Sequence, residues 1–239
     1  MIEVVAETGS TNTDLTTRVS AGEMVSEGHW LVADRQVRGR GRHGRTWSDG
    51  AGNFMGSTLI RLRAGDPPAH TLSLAAGVAV FEALCAVAPG TREQLSLKWP
   101  NDVLVGPAKL AGILLERVGE AVVVGVGVNL LHAPDVEGRA VASLASLGHV
   151  VDRDAFAATL DTAWGEVLQL WRFGGWAQVR SRWLARAHPV GTALAVHGSE
   201  NGVLHGVFLG LDSEGALQLE DTGGTRRTIH AGEVLIDSR

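Results

Sequence analysis

Apolar and polar residues alternate along the first part of the chain in short runs that predict β-strands. The runs "IEVVAE", "HWLVADRQ" and "NFMGSTLIRL" have this pattern. Between the first two runs, "STNTDLTTRVSAG" begins with serine and threonine and ends at Gly22, so it predicts a capped helix. The apolar segment "HTLSLAAGVAVFEALCAVA" predicts a long helix that is buried on most sides.

The middle of the chain contains three more strand-like runs, "QLSLKWPNDVLV", "KLAGILLERVG" and "AVVVGVGVNL", with proline and glycine turns between them. Such short connections favour an antiparallel or mixed sheet over strict βαβ units. Two helices are predicted next, the first from Asp152 onward and the second in "GWAQVRSRWLARA". The first has apolar residues at helical spacing, which we expect in the core: Phe156, Leu160, Trp164, Val167, Leu168 and Trp171.

The composition changes after "RAHPVG", where short alternating runs are separated by Glu-Asn-Gly, Ser-Glu-Gly and Gly-Gly turns. About fifty residues of this pattern predict a small SH3-like β-barrel. The predicted fold class is therefore α+β, with a mixed or antiparallel sheet flanked by helices and a C-terminal barrel. We place the boundary at His188–Pro189, which gives a catalytic domain over 1–187 and a barrel domain over 188–239.

Composition indicates the cellular compartment and limits the classes of partner that the whole chain can bind. The 239 residues carry a net charge of -5, so any field that attracts anions must be local. The single cysteine, Cys85, lies in the apolar helix, where we expect a core residue; no intrachain disulfide is possible, as is typical of the cytoplasm. The N-terminus does not have the pattern of a signal peptide. No run reaches the roughly 18 uninterrupted apolar residues of a membrane span.

The stretch "RGRGRHGRTW", Arg38 to Trp47, places arginines on a glycine frame that suits phosphate. It contains G-x-G-x-x-G, but turn-forming residues follow where a dinucleotide fold needs a helix. A nucleic-acid-binding module would use the same arginines, although the rest of the chain is acidic and offers no stacking platform. A solvated charged loop is the plainest alternative. A small-molecule phosphate site is the third functional interpretation.

The third interpretation gains support from polar residues at later turns. "KWPNDV" holds Lys98, Asn101 and Asp102, "KLAGILLE" begins with Lys109, and "GVGVN" ends a hydrophobic strand with Asn129. Each signal is weak alone, because a lysine at the start of a strand is usually solvated. Together they predict a sheet with cations and amide groups at its turns.

The motifs "GSTN", "GRGRHGRTW", "KWPNDV", "KLAGILLE" and "GVGVN", in this order and spacing, resemble those of the biotin–protein ligase family. The match by motif covers roughly residues 8–130, and the later helices and β tail agree with the rest of that family's fold. The resemblance implies a catalytic core like that of class II synthetases, followed by an SH3-like domain. Lipoate ligases are similar in fold but lack "GRGRxGR" and "KWPND" in this form.

The resemblance implies a two-step reaction in the cytoplasm. ATP, with Mg²⁺, activates biotin to biotinyl-5′-AMP and releases pyrophosphate, and a lysine of a biotin carboxyl carrier protein domain then attacks the mixed anhydride. A lipoate-type or other acyl-adenylate ligase is the enzymatic alternative. No protein ligand for the metal can be assigned. We expect a monomer or weak homodimer without membrane binding.

The family's functional residues carry over onto matching positions of this chain. The expected catalytic residues are Arg40, Arg42, Asp102 and Lys109, with Asp102 either accepting the acceptor lysine's proton or forming an Asx turn. The expected biotin-binding residues are Ser10, Thr11, Asn12, Gln36, Gly39, Arg40, Gly41, Arg42, Lys109, Gly112, Gly125 and Gly127. The expected ATP-binding residues are Arg40, Arg42, Arg45, Trp47, Lys98, Asn101, Lys109 and Asn129. Ser10 and Thr11 are also candidates for helix capping.

Two departures from the family pattern remain. Arg38 stands where the family commonly has a small residue, so the conformation of the loop before Gly39 is open. Some members carry an N-terminal winged-helix repressor domain, whereas "STN" begins here at residue 10. We therefore expect a ligase that does not bind operator DNA, which a gel shift with sequence-specific binding would contradict.

Overall fold

The structure is a computed structural model that describes residues 1–48, 50–197 and 202–236. Its helices are α1 (Thr11–Ser20), α2 (Leu72–Val87), α3 (Arg153–Leu170) and α4 (Trp176–Leu184). The strands of the large sheet are β1 (Ile2–Thr8), β2 (Trp30–Gln36), β3 (Phe54–Arg61), β4 (Leu95–Lys98), β5 (Asp102–Val105), β6 (Ala108–Val118) and β7 (Ala121–Val128). The strands of the small sheet are β8 (Ala193–His197), β9 (Val203–Leu211), β10 (Leu217–Asp221), β11 (Arg226–Ile229) and β12 (Glu233–Ile236).

The large sheet has the order β1-β2-β3-β7-β6-β5-β4. The β1–β2 pair is parallel and the other pairs are antiparallel, so the predicted mixed sheet is confirmed. One predicted strand-like run, "QLSLKWPNDVLV", is two strands. Pro100 cannot donate a backbone hydrogen bond to a sheet, and the chain turns there to form the β4–β5 hairpin.

Most of the hydrophobic core lies on one face of the large sheet, under α2, α3 and α4. Helix α2 is apolar on nearly all sides because it lies between the sheet and the other two helices, and Cys85 is buried on it. The segment Ala69–Val87 is long and apolar enough by length and composition to cross a membrane, although polar residues such as Ser73 and Glu82 interrupt its apolar run. However, 72% of it is buried inside the protein, as is usual for a core helix.

The opposite face of the sheet is covered only in part. Helix α1 packs across β3, β6 and β7 at one end, where Leu15 joins a small apolar cluster with Leu31, Leu59 and Val123. Beyond α1, the same face is lined by glycine and polar residues. The alternation of the strands therefore leaves a cleft on this face while the other face is a packed core.

The C-terminal tail forms the predicted antiparallel sheet, in the order β11-β10-β9-β8-β12. The predicted barrel is not closed, since no ladder joins edge strands β11 and β12 within the described part of the tail. Turn signals in the sequence locate hairpins, but they do not determine whether the end strands meet. The domain boundary at His188–Pro189 stays a prediction.

The small sheet packs directly against the large domain. Trp99 of the β4–β5 turn donates from Nε1 to the carbonyl of Gly215 at 3.2 Å, and Trp176 donates to that of Ser213 at 2.7 Å. Apolar residues of both sheets belong to one core cluster. This packing brings Glu233 and Val234 of β12 to the rim of the cleft.

Candidate active site

A cleft opens on the partly covered face of the large sheet. Its walls come from the start of α1, the glycine-arginine loop, the β4–β5 turn, β6, β7 and β12. The following sequence-predicted residues line it: Ser10, Thr11, Asn12, Gln36, Arg40, Gly41, Arg42, Arg45, Trp47, Lys98, Asn101, Asp102, Lys109, Gly112, Gly125 and Gly127. The structure thus brings together residues that are up to 117 positions apart, from Ser10 to Gly127.

The floor of the cleft is a strip of glycines on neighbouring strands. Gly112 of β6 pairs with Gly127 of β7, and Gly125 lies two residues before Gly127 on the same face. A Cβ at Gly125 would lie 2.2 Å from Asn12 Oδ1, and one at Gly127 would lie 2.3 Å from Trp47 Cε2. These two positions have to be glycine for Asn12 and Trp47 to lie directly on the sheet.

Buried polar side chains at the start of α1 form one end of the cleft. Gln36 Oε1 accepts from the backbone N–H of Thr11 at 2.7 Å and lies 3.1 Å from its hydroxyl. The Thr11 hydroxyl contacts Ser57 Oγ at 2.7 Å, and Ser57 donates to Asn12 Oδ1 at 2.6 Å. Ser10 is the N-cap residue of α1, yet its side chain makes no capping hydrogen bond. Its hydroxyl therefore remains available to a ligand in the cleft.

Trp47 covers the glycine strip. Its ring packs against the backbones of Gly112 and Gly127, and Lys109 Nζ lies 5.7 Å from the ring centroid, within cation–π range. The indole Nε1 is buried and has no hydrogen-bond partner among the described residues. An unpaired buried donor is costly, so a ligand acceptor at this position would be favourable.

The only lysines of the chain, Lys98 and Lys109, meet at one carboxylate. Asp102 Oδ1 lies 2.6 Å from Lys109 Nζ, and Oδ2 lies 3.1 Å from Lys98 Nζ. Burial acts to raise the pKa of Asp102, but the charges of Lys109 and Lys98 outweigh it and lower the pKa below its ordinary value. Asp102 is therefore ionised at neutral pH and holds both ammonium groups at the edge of the cleft.

The glycine-arginine loop is tied to the β4–β5 turn and to the small sheet. Arg42 donates to Asn101 Oδ1 and to the carbonyl of Gly232, both at 3.1 Å. Asn101 in turn donates from Nδ2 to the carbonyl of Ile113 on β6 at 2.7 Å. Burial lowers the pKa of Arg42, against the charges of Asp102 and Glu233, but arginine remains charged at neutral pH. One guanidinium thus joins three parts of the fold.

Glu233 of β12 binds two arginines from different loops. Arg45 donates to it from both Nη1 and Nη2, and Arg139 donates from Nη2. Hydrogen bonds from Arg45 lower the pKa of Glu233 to about 2, although burial acts to raise it. The positive charges of Arg139 and Arg45 lower the pKa further. The small sheet therefore contributes a permanent negative charge to the rim.

A third acid connects the loop to α1. Oε1 of Glu116 on β6 lies 3.0 Å from Arg40 Nη1, and Oε2 of the same side chain accepts from Asn12 Nδ2 at 2.8 Å. With the contacts of Arg42 and Arg45, every arginine of "GRGRHGR" has a protein partner in this structure. An entering anion would add to these contacts or replace them.

Three residues from the predicted region lie outside the cleft wall. Asn129 is buried and donates from Nδ2 to the carbonyl of Ala142 at 3.1 Å, so its amide holds the following loop. Gly39 lies beneath the loop, where its carbonyl accepts from Trp47 N at 2.9 Å. Arg38 is exposed, and its backbone N–H donates to the carbonyl of Gly9.

Sequence reasoning missed five polar residues that line the cleft, namely His43, Thr46, Ser57, Arg139 and Glu233, and it missed Glu116, which lies beside the cleft against Arg40. Glu116 stands four residues after Gly112 in "KLAGILLE", so strand alternation could have placed both on one face. Ser57 could be found in the same way only with the β3–β7 register known. Arg139 and Glu233 meet through tertiary packing and left no local signal.

The cleft offers cations and hydrogen-bond groups but no metal-binding cluster. No group of three or more His, Cys, Asp or Glu side chains suited to a metal occurs in residues 1–48, 50–197 and 202–236. The nearby acids Asp102, Glu116 and Glu233 are all paired with cations.

This arrangement suits a reaction between two anions. The neutral groups of Ser10, Thr11 and Asn12 can bind a polar ring, and Asn12 lies on Gly125. Lys109 and Arg42 line the same cleft, with Lys109 beside the Trp47 ring that packs on Gly112 and Gly127. Fixed positive charge in a site that excludes water can bring a carboxylate against a phosphate and stabilise charge that develops between them.

Two family models match the chain. The model of the biotin/lipoate A/B protein ligase family matches residues 5–130, and that of the biotin protein ligase C-terminal domain matches residues 196–237. Together they cover the large sheet with its cleft and the small sheet. The second match also explains why the tail resembles a separate module in sequence.

Similar proteins are known over nearly the whole length of the chain. The biotin--[acetyl-CoA-carboxylase] ligase of Paracoccus denitrificans is 39% identical, with 97% of this chain and 98% of that protein covered. The protein of the same name from Mycobacterium tuberculosis is 36% identical, with 98% and 88% covered. A solved structure, the biotin protein ligase from Aquifex aeolicus in complex with biotin and ATP, superposes with a TM-score of 0.85 at 27% identity, covering 99% of this chain and 98% of that chain.

Proposed function

Because the chain belongs to the biotin/lipoate A/B protein ligase family, we propose that it is a biotin–protein ligase. It activates biotin with ATP to biotinyl-5′-AMP and transfers the biotinyl group to a lysine of a carrier domain. The observation that carries the proposal is the cleft itself, in which buried polar groups that suit a ring and cations that suit phosphate line one glycine floor. Biotin and ATP are the substrates, and Mg²⁺ enters with ATP.

The proposed binding mode follows from the charges along the cleft. The ureido ring of biotin needs hydrogen-bond donors and acceptors, which Ser10, Thr11 and Asn12 supply beside Gln36. The biotin carboxylate then points towards Lys109, where it meets the α-phosphate. Arg40, Arg42 and Arg45 neutralise the triphosphate through charge-assisted hydrogen bonds. Trp47 packs over the reacting end of the ligand and offers its unpaired Nε1–H.

In the first step the carboxylate oxygen of biotin attacks the α-phosphorus, an O–P bond forms, and pyrophosphate leaves. Lys109 and the loop arginines stabilise the charge on the phosphoryl oxygens in this step. In the second step the neutral amine of the acceptor lysine attacks the biotinyl carbonyl and AMP leaves. The depressed pKa of Asp102 favours a role in holding Lys109 over a role as the base.

The partner is a biotin carboxyl carrier protein domain of a biotin-dependent carboxylase, and we expect the reaction to take place in the cytoplasm. The support is the name shared by the two relatives above, which refers to acetyl-CoA carboxylase. We further propose that residues 188–239 act as a separate domain that contributes Glu233 to the rim of the cleft.

Transfer is tested with a purified apo carrier domain, biotin and ATP. We expect one biotinyl group per carrier domain by intact-mass measurement, and none when the acceptor lysine is replaced by arginine. Carrier that stays unmodified at saturating biotin and ATP would contradict the proposal. Modification by lipoate in place of biotin would favour the lipoate-type alternative.

A further inference from the structure

One acid beside the cleft contacts two of its lining residues and has no role in the proposed reaction. Glu116 lies on β6, four residues after Gly112, and its side chain is 22% exposed. Its two oxygens have different partners: Oε2 accepts from Asn12 Nδ2 at 2.8 Å and Oε1 lies 3.0 Å from Arg40 Nη1. One carboxylate therefore joins a residue proposed for the biotin pocket to one proposed for the phosphates.

We propose that Glu116 is a positioning residue that couples biotin binding to nucleotide binding. It fixes the amide of Asn12 on one side and the guanidinium of Arg40 on the other, so that ordering one contact favours the other. This inference rests on the proposed function, because it assigns Asn12 to biotin and Arg40 to ATP.

On the biotin side, Glu116 determines which atoms Asn12 presents. The amide could rotate by 180° and exchange its donor and acceptor, since the two ends have nearly the same shape. An ionised carboxylate only accepts, so Nδ2 must face Glu116, and Ser57 donates to Oδ1 at 2.6 Å. Asn12 is also buried, and Glu116 is the nearer acceptor of its Nδ2, since the carbonyl of Leu114 lies 3.5 Å away. The orientation of the ligand-binding amide thus depends on Glu116.

On the nucleotide side, Glu116 holds one arm of Arg40 and leaves the others free. The side chain of Arg40 is 54% exposed. A guanidinium has five N–H donors, so it can bind a carboxylate and a phosphate at once. Ordering the loop costs conformational entropy, and the first ligand to bind bears this cost. The second ligand meets a loop that is already ordered and therefore binds more tightly.

Two substitutions separate the two contacts. Glu116→Gln keeps a neutral oxygen that can accept from Asn12, but it removes the charge that pairs with Arg40. Glu116→Ala removes both contacts. The matched control is Glu120→Gln on the same β6–β7 hairpin, where the side chain is 85% exposed and pairs with Arg117 at 3.6 Å.

The measurement is the dissociation constant of biotin by titration calorimetry, without nucleotide and with saturating α,β-methylene-ATP, which cannot form the adenylate. For the unsubstituted protein we expect the nucleotide analogue to tighten biotin binding about fivefold or more. Glu116→Gln should change the affinity for biotin alone by less than about threefold. In this variant the nucleotide analogue should tighten biotin binding by less than half as much as in the unsubstituted protein. Glu116→Ala should in addition weaken biotin alone about tenfold, because Asn12 loses a charged acceptor. The control should behave as the unsubstituted protein.

Several results would overturn the inference. One is that the nucleotide analogue tightens biotin binding as much in Glu116→Gln as in the unsubstituted protein, or does not tighten it in the unsubstituted protein at all. Another is that Glu116→Ala binds biotin as well as the unsubstituted protein does. A third is that the Glu120→Gln control loses as much of the tightening as the Glu116 variants. If Glu116→Ala does not fold, the glutamine variant alone decides. An unsubstituted protein that does not bind biotin would instead contradict the proposed function, so the two failures can be told apart.

Discussion

At the scale of single residues, the chemistry of the cleft depends on how few ammonium groups the chain has. Lys98 and Lys109 are its only lysines, and both pair with Asp102. Lys109 is also the one that lies over the Trp47 ring, where the proposed carboxylate and α-phosphate meet. We therefore expect different roles for the two lysines although they share a carboxylate. Substituting each lysine in turn tests this.

Replacing Lys109 with alanine should lower the rate of biotin-dependent adenylate formation by about 10²–10³-fold, the loss expected for a donor that acts in the transition state. The fold should survive, because Asp102 keeps its ion pair with Lys98. ATP–pyrophosphate exchange measures the rate and thermal unfolding measures the fold. Lys98→Ala is the matched variant, and we expect it to lose less. A rate near that of the unsubstituted protein for Lys109→Ala would assign the role to another cation.

Single residues also show the limit of prediction from the sequence. Ser10 and Thr11 fit a helix cap and a ligand site equally well in the sequence, and the structure shows that the Ser10 side chain makes no cap hydrogen bond. Glu233 could not be predicted, because its partners Arg45 and Arg139 reach it through the packing of the small sheet. The sequence therefore predicted which local residues could bind a ligand, but it did not predict contacts between residues that are far apart in the chain.

At the scale of elements, strand alternation explains why one sheet can carry both a core and a cleft. On β7 the cleft face holds Gly125 and Gly127, while the intervening Val126 lies in the core cluster. The runs "KLAGILLE" and "GVGVN" predicted the strands, but only the register that pairs Gly112 with Gly127 shows that their glycines form one floor. Register depends on long-range pairing, which a single sequence does not contain.

Gly125→Ala should damage the biotin pocket without unfolding the protein. The added Cβ would lie 2.2 Å from Asn12 Oδ1, and that amide is held by Ser57 and Glu116, so overpacking should cost about 1–3 kcal/mol. We expect biotin affinity to fall about tenfold or more. Calorimetry measures the affinity, and denaturant unfolding measures the stability.

The control is another glycine in open space. Gly165 is exposed in the interior of α3, and nothing lies within 4 Å of a Cβ built there. Gly165→Ala should therefore raise the free energy of unfolding by about 0.5–1 kcal/mol and leave biotin affinity unchanged. A Gly125→Ala variant with full affinity would show that Asn12 can move without loss, against the proposed pocket.

At the scale of the whole molecule, the small sheet is part of the cleft. Gly232 and Glu233 accept from Arg42 and Arg45 of the glycine-arginine loop. The sequence predicted the tail as a module but left its contribution open, because the turn pattern gives no information on which edge faces the large sheet. The structure shows that β12 faces the loop.

Glu233→Gln should destabilise the protein in a pH-dependent way. The pKa of Glu233 is lowered from an ordinary value of 4.5 to about 2, so its contribution is complete above about pH 4.5 and is lost as the pH falls towards 2. The difference in free energy of unfolding between the unsubstituted protein and the variant should shrink over that range. Denaturant unfolding at several pH values measures it, with Glu214→Gln, an exposed acid in the β9–β10 turn, as control. A difference that does not depend on pH would contradict the assignment.

The glycine-arginine loop should become more ordered when the ligands bind. Its arginines Arg40 and Arg45 stay about half exposed while they contact Glu116 and Glu233, so an entering anion can reach them. Bound adenylate would supply stronger partners, so trypsin cleavage in the segment 40–45 should slow in the presence of biotin and ATP. Equal cleavage rates with and without the ligands would mean that the loop does not respond to them.

The central claim is that this cleft joins biotin to AMP. It is tested most directly by ATP–pyrophosphate exchange with purified protein, labelled pyrophosphate and Mg²⁺, in the presence of biotin, of lipoate, or of neither. The account predicts exchange that depends on biotin and is absent with lipoate. Exchange with lipoate but not biotin, or no exchange with either acid, would contradict it.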